Sequence, residues 1–134
     1  MNSKSLSDYY YNHSFMDGLR KKLTELLPNT YCIAAIDIEH FRLFNKLYGR
    51  SSGDEVIRYI CACLKQSAME NDGIDAYLGG DNFVALLPDR DELLCGIREK
   101  IIKKLGKWNN TSAFFPLFGV YTIEDTSIQP ELMY

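Results

Sequence analysis

The chain has 134 residues, of which 46% are apolar and 25% are charged, and its formal net charge is −3. This length and composition predict a single folded domain over residues 1–134, with one main core. The acidic balance argues against nucleic acid as a partner, because phosphate binding requires a basic face. The longest apolar runs fall well short of the ~18 residues of a membrane span, and no apolar signal core follows Met1. We therefore expect a cytoplasmic domain that makes no contact with a membrane.

Hydrophobic periodicity predicts the elements of the first half of the chain. A helix is expected over Phe15–Leu27, followed by "YCIAAI" (Tyr31–Ile36), a continuous apolar run typical of a central strand covered on both faces. His40–Tyr48 is expected to form a short helix that a glycine closes. The next helix is expected to open in "SSGDE", where Ser52 and Glu55 have the spacing of a capping box.

The second half predicts a hairpin, a helix and a further strand. Ile74–Leu78 and Phe83–Leu87 flank a glycine turn, which indicates a β-hairpin. Asp91–Leu105 has helical spacing, Ser112–Ile123 is expected to be a strand bent at its proline, and Ser127–Tyr134 is expected to begin another helix. This order predicts an α+β fold of the ferredoxin-like or palm-like group, with a mostly antiparallel sheet flanked by helices.

Two acids in this pattern are candidate metal ligands. Asp37 follows the buried strand, and Asp81 lies at the hairpin tip within "YLGGDNFVALLP". If the hairpin lies beside that strand, the two carboxylates converge, and such a pair suits Mg²⁺ together with substrate phosphates. Gly79 and Gly80 have no side chains, so a triphosphate fits close to the turn, as metal-assisted nucleotidyl transfer requires. A plain hairpin turn with a solvated acid explains the same residues, and the residues alone leave both interpretations open.

A wider pattern resembles a known family. "AIDIEHFRLFNKLYGRSSGDEVI" followed by "YLGGDNFVALLP" resembles the GGDEF domain of diguanylate cyclases, which carry D-(I/V)-D-x-F-K-x-(I/F)-N-D-x-x-G-H-x-x-G-D-x-x-L and then R-x-G-G-(D/E)-E-F. "SLSDYYYNHSF" and "FGVYT" are similar to the opening and a later strand of the family. The resemblance implies a palm-like nucleotidyl cyclase fold. In this family two GTP-loaded domains meet as a dimer and form cyclic di-GMP.

The resemblance also implies a set of site residues. Asp37, the carbonyl of Ile38 and Asp81 would hold Mg²⁺ bound with GTP. The implied substrate-binding residues are Phe41, Asn45, Asp54, Gly79 and Gly80. An amide and a carboxylate, from Asn45 and Asp54, match the acceptor and donors of the guanine edge. An acid in the first turn of a helix and a polar residue near a helix end are the structural alternatives for these two residues.

The signature itself departs from the family. It reads Gly79-Gly80-Asp81-Asn82-Phe83, and Asn82 replaces the glutamate that the family uses for metal binding and catalysis. An amide cannot ionise, and losing a general base typically costs ~10²–10⁴ in rate. No catalytic residue is therefore intact, and we expect no turnover.

Other positions depart in the same direction. Tyr77 stands in place of an arginine, Arg50 in place of a histidine and Lys46 in place of an aspartate. The inhibitory R-x-x-D site has no match in "MENDGIDAY", and the closing helix of the family, with its phosphate-binding lysine and arginine, would lie beyond Tyr134. We interpret the chain as a C-terminally truncated, degenerate GGDEF domain.

These observations favour a GTP-binding or dimerising regulatory module, fused in nature to other signalling domains. Three alternatives stay open. One is an active diguanylate cyclase in which Glu39 or water replaces the missing glutamate, and another is a structural relic without nucleotide binding. The third is an RNA-binding ferredoxin-like module, suggested by "GGDNFVAL" but disfavoured by the acidic charge.

Overall fold

A computed structural model describes residues 6–108, 114–124 and 126, with side chains from residue 14 onward. Within these ranges the elements are α1 (Leu6–Leu23), β1 (Tyr31–Ile38), α2 (Phe41–Tyr48), α3 (Arg50–Glu70), β2 (Ile74–Gly79), β3 (Asn82–Pro88), α4 (Asp91–Leu105) and β4 (Pro116–Thr122). The order helix, strand, helix, helix, hairpin, helix, strand is confirmed. The helix predicted over Ser127–Tyr134 lies outside the described residues. Among the described helices, none has the length and apolar character needed to cross a membrane.

The four described strands form one antiparallel sheet in the order β2-β3-β1-β4. β1 lies between β3 and β4, so that Ile36 pairs with Phe83 on one side and with Phe118 on the other. This arrangement confirms the predicted antiparallel α+β sheet and places the hairpin tip beside the end of β1. The predicted bend in the last strand is wrong, because β4 begins at Pro116 and pairs with β1 in unbroken register. A proline at the first residue of a strand removes no central ladder bond.

Helices cover both faces of the sheet, as the continuous apolar run in β1 predicted. α1 covers one face, and the buried cluster there contains Phe15, Leu19, Leu23, Ile33, Leu78, Val84, Leu86 and Ile123. α2, α3 and α4 cover the other face, whose buried cluster is built around Ile36, Ile38, Phe44, Val56, Ile60, Leu64, Phe83, Ile97 and Ile101. Successive strand residues point to opposite faces, so residues adjacent in β1 serve different clusters.

The first helix ends earlier than its hydrophobic spacing predicted. It stops at Leu23 instead of Leu27, and Leu27 is exposed. The hydroxyl of Thr24 donates to the carbonyl of Lys21 at 2.8 Å, and this local bond satisfies a carbonyl of the last turn. The predicted start at Phe15 is also wrong, since α1 begins at Leu6. Helix ends thus depend on local hydrogen bonds that periodicity does not encode.

The predicted capping box at the start of α3 is wrong. The helix begins at Arg50, so Ser52 and Glu55 lie inside it, and no side chain caps this described end. Gly49 separates α2 from α3 with a φ of 92°, a left-handed conformation that favours glycine. A single glycine therefore provides the break between the two helices.

Candidate functional site

The hairpin tip and the end of β1 meet at one edge of the sheet. A carboxylate oxygen (Oδ2) of Asp81 accepts a hydrogen bond from the backbone N–H of Ile38 at 3.0 Å. Partial burial raises the pKa of Asp37, and the negative charges of Asp81 and Glu39 raise it further. The acids that the sequence placed at this edge are therefore close enough to repel each other electrostatically.

Both glycines of the hairpin turn have a backbone conformation that favours glycine. Gly79 and Gly80 have φ angles of 95° and 58°, which side chains disfavour. The hydroxyl of Tyr77 donates to the carbonyl of Gly80 at 2.6 Å across the turn, and the ring of Tyr77 lies 5.2 Å from that of Phe83 between centroids. The turn is thus closed by its own backbone geometry and by Tyr77.

An open cleft of about 620 Å³ lies between the hairpin tip, α2 and the first turn of α3. Six of the predicted site residues line it: Ile38, Phe41, Asn45, Asp54, Gly80 and Asp81. Five lining residues were not proposed as site residues from the sequence: His40, Arg42, Arg50, Ile57 and Tyr77. Their positions within the two motif segments were the available signal, but Arg50 and Tyr77 were interpreted only as departures from the family.

Asn45 is the most constrained polar group in this cleft. Its side-chain oxygen is buried and has no hydrogen-bond partner among the described residues. A Cβ at Gly53 would overlap this oxygen and would lie 3.2 Å from the ring of Phe41. Asn45 therefore takes its position only because residue 53 is glycine. A buried acceptor without a partner is costly, and a ligand that supplied a donor here would remove that cost.

Asp37 and Asn82 line a different groove. This groove has a volume of about 350 Å³ and also contacts Leu117 and Phe118 of β4. In the described part of the chain, no three histidine, cysteine or acidic side chains are grouped so as to hold a metal ion. The predicted metal ligands thus lie at one sheet edge, but Asp37 lines one groove while Ile38 and Asp81 line the other.

These features define a class of protein. A four-stranded antiparallel sheet flanked by helices is the palm-like α+β fold of solved GGDEF domain structures. The family model "Diguanylate cyclase, GGDEF domain" matches residues 9–114. The chain therefore belongs to the GGDEF domain family of cyclic di-GMP signalling.

Individual relatives agree with this assignment. The chain is 23% identical over 137 residues to the probable diguanylate cyclase DgcT of Escherichia coli, with 96% of this chain and 30% of DgcT covered. It is 40% identical over 62 residues to the E. coli diguanylate cyclase DgcM, with 46% and 15% covered. The chain thus spans less than a third of the length of either relative.

Solved structures share the fold. The GGDEF domain of DgcB from Caulobacter crescentus, in complex with c-di-GMP, matches with a TM-score of 0.66 at 22% identity, covering 91% of this chain and 77% of that one. The S helix-GGDEF-EAL part of Vibrio cholerae LapD, bound to c-di-GMP, matches with a TM-score of 0.60 at 23% identity, covering 90% and 28%.

Proposed function

We propose that this domain binds GTP and acts as a regulatory module of cyclic di-GMP signalling without making cyclic di-GMP itself. The cleft carries this proposal, because it gathers Phe41, Asn45 and Asp54 next to the hairpin turn. These residues come from two helices separated by Gly49, and the turn comes from a distant hairpin. A structural relic would have no need to keep a buried amide without a partner.

The base would bind between α2 and α3. The Asp54 carboxylate can accept from the N1–H and N2–H₂ donors of guanine, and the Asn45 amide can pair with the neighbouring edge. Adenine has an acceptor at N1 instead of a donor, so the Asp54 carboxylate would face a lone pair and would be repelled. The described contacts of Asp54 include no ion pair or hydrogen bond, so this carboxylate is available to a ligand. The cleft therefore favours guanine over adenine.

The sheet edge would hold Mg²⁺ together with the nucleotide. Asp37, the carbonyl of Ile38 and Asp81 would bind the ion, and Gly80 leaves room for phosphate beside the turn. Mg²⁺ usually takes one or two carboxylates plus phosphate oxygens and waters, so the carboxylates of Asp37 and Asp81 would suffice for this ion without a third acid. Burial raises the pKa of Asp37, and the charges of Asp81 and Glu39 raise it further, so a cation at this site would offset the repulsion among the acids. When bound, the ion would neutralise phosphate charge.

The absence of turnover is proposed from Asn82. This residue occupies the position of the catalytic glutamate, is exposed, and borders the groove that contains Asp37. A neutral amide cannot accept a proton from an attacking hydroxyl, and the expected loss is ~10²–10⁴ in rate. We therefore assign binding and not catalysis to this domain.

The setting of the domain is proposed by analogy. LapD joins its GGDEF domain to an S helix and an EAL domain, and we propose that residues 1–134 likewise form one cytoplasmic domain of a longer signalling protein. A homodimer is proposed because the family resemblance implies that two GTP-loaded domains meet as a dimer.

Calorimetric titration of GTP with Mg²⁺ tests the binding function. We expect saturable binding that Asp54→Ala abolishes, and much weaker binding of ATP. Asp91→Ala, at an exposed acid in the first turn of α4, is a matched control that should bind like the wild type. Absence of heat with the wild-type protein would refute the proposal and favour a relic.

One observation favours residual diguanylate cyclase activity as a second candidate. The charge of Glu39 acts on Asp37, so Glu39 is a carboxylate at this sheet edge that could replace the glutamate missing at position 82. Incubation with GTP and Mg²⁺, followed by chromatography of the nucleotides, tests this candidate. Cyclic di-GMP that disappears in Glu39→Gln would establish it, and product-free incubations would exclude it.

A further inference from the structure

Two guanidinium groups border the proposed nucleotide cleft. Arg42 lies in the first turn of α2 and Arg50 is the first residue of α3, and both side chains are exposed. Within the described residues, neither makes a hydrogen bond, an ion pair or a contact with an aromatic ring. By contrast, Arg90 on the far side of the molecule donates to the side chain of Asn71 at 3.0 Å. The cleft therefore keeps positive charge that the protein itself does not use.

Arg50 and Asp54 lie one helical turn apart, a spacing at which oppositely charged side chains often pair. No ion pair joins them, and both face the same cleft. The cleft thus presents the Asp54 carboxylate as an acceptor and the Arg50 guanidinium as a donor, and the two groups are not paired with each other. A ligand that complements both has a neutral hydrogen-bond donor edge and an anionic group, and a guanine nucleotide has this combination.

We propose that Arg50 binds the phosphate of the nucleotide while Asp54 and Asn45 bind its base. The proposal rests on the function proposed above and deepens it, because it assigns the phosphate contact to Arg50, a residue at which this chain departs from the family motif. A guanidinium presents a planar fork of donors that matches two phosphate oxygens, and such charged bonds are among the stronger polar contacts. Arg42 supplies a second positive charge at the same cleft.

The test compares ligands with and without phosphate. GTP and guanosine are titrated at fixed Mg²⁺ into the wild-type protein, Arg50→Gln, Arg50→Lys and Arg58→Gln. We expect Arg50→Gln to weaken GTP binding about tenfold and to leave guanosine binding unchanged. The GTP affinity of Arg50→Lys should lie between those of the wild-type protein and Arg50→Gln, because lysine keeps the positive charge but lacks the planar fork of donors. Arg58→Gln changes an exposed arginine of the same helix that does not line the cleft, and it should match the wild type.

The outcomes separate this inference from the proposed function. Equal GTP affinities for Arg50→Gln and the wild-type protein would overturn the inference and leave GTP binding intact. An equal loss of affinity for GTP and for guanosine in Arg50→Gln would also overturn the inference, since Arg50 would then support the shape of the cleft instead of contacting phosphate. If the wild-type protein binds neither ligand, both the proposed function and the inference fail. Thermal melts of each variant confirm that the compared proteins are folded.

Discussion

The Asp81 carboxylate and the Ile38 backbone N–H are joined by a 3.0 Å hydrogen bond across 43 residues of sequence. The bond holds the hairpin tip against the end of β1, so one carboxylate oxygen of Asp81 is committed to the backbone. The second oxygen and the Ile38 carbonyl remain available for a cation. The proposed metal site would therefore share this side chain with a structural hydrogen bond.

Asp81→Asn separates these two roles. The amide oxygen can still accept from Ile38, so the free energy of unfolding should change by less than about 1 kcal/mol. The lost charge should lower the pKa of Asp37, which burial and Asp81 both raise, and should weaken GTP binding in Mg²⁺ about tenfold. Calorimetry measures the binding, and NMR titration of the Asp37 carboxyl measures the pKa. Asp81→Ala is the comparison, since it should also lose stability. An unchanged pKa of Asp37 in Asp81→Asn would contradict the electrostatic coupling.

Asp37→Asn should stabilise the metal-free protein at neutral pH. Burial, Asp81 and Glu39 raise the folded-state pKa of Asp37 above its ordinary value of 3.8, so ionising this group costs folding free energy. That cost is absent below the ordinary pKa and is complete once the pH exceeds the folded-state pKa. The mutant should therefore be more stable than the wild type at pH 7, and the difference should vanish as the pH falls below 3.8. Urea unfolding at several pH values in EDTA measures the difference. A mutant less stable than the wild type at pH 7 would refute this account.

Gly53→Ala should damage the cleft while the fold survives. The new Cβ would overlap the side-chain oxygen of Asn45, so we expect GTP affinity to fall about tenfold or more through loss of that amide contact. Overpacking costs about 1–3 kcal/mol and alanine returns about 1 kcal/mol of helix propensity, so the net loss of stability should be small. Calorimetry and thermal melts measure the two effects. Gly96→Ala is the matched control, because nothing lies within 4 Å of a Cβ there. Gly96→Ala should bind GTP like the wild type, and its free energy of unfolding should rise by up to about 1 kcal/mol.

Glu55→Gln should remove an acid-sensitive contact between α3 and α4. The Glu55 carboxylate accepts from Lys104 and Lys107 at 2.8 Å each, and these bonds lower its pKa to about 2. A depressed pKa contributes stability above the unfolded value of 4.5, and this contribution is lost as the pH falls toward about 2. Between those limits the wild type should lose more stability than Glu55→Gln, as measured by thermal melts. Glu99→Gln changes an exposed acid on α4, and its melting temperature should depend on pH as that of the wild type does.

Asn82→Glu should restore a cation requirement at the sheet edge. The side chain borders the same groove as Asp37, so a new carboxylate there should lower the melting temperature in EDTA through like-charge repulsion. Mg²⁺ should reverse this loss and should stabilise Asn82→Glu more than the wild type. Asn82→Gln has the same length without the charge, so Mg²⁺ should stabilise it no more than it stabilises the wild type. Cyclic di-GMP formation by Asn82→Glu, measured by chromatography, would show that residue 82 limits turnover.

Local chemistry was enough to predict most elements. Helical spacing of apolar residues predicted α4 at Asp91–Leu105, which are its observed bounds. Apolar runs on either side of two glycines predicted the hairpin, and both glycines of the turn have positive φ angles, which glycine adopts most readily. One failed prediction is the bend at Pro116, where β4 instead begins. The other failures concern helix ends: the end of α1 at Leu23 and the start of α3 at Arg50 depend on hydrogen bonds and on one glycine φ angle, which apolar periodicity does not reveal.

The amino-acid sequence by itself determined the order of elements, the family and the types of groups available for binding, since motifs and periodicity are local properties. Only the tertiary structure decided which of these groups meet. β-strand pairing brought Asp81 to Ile38, the alternation of side chains along β1 placed Asp37 in a separate groove, and the junction at Gly49 brought Arg50 into the cleft with Asn45. Such contacts join residues distant in the chain through sheet register and helix packing, and register is set by the whole core.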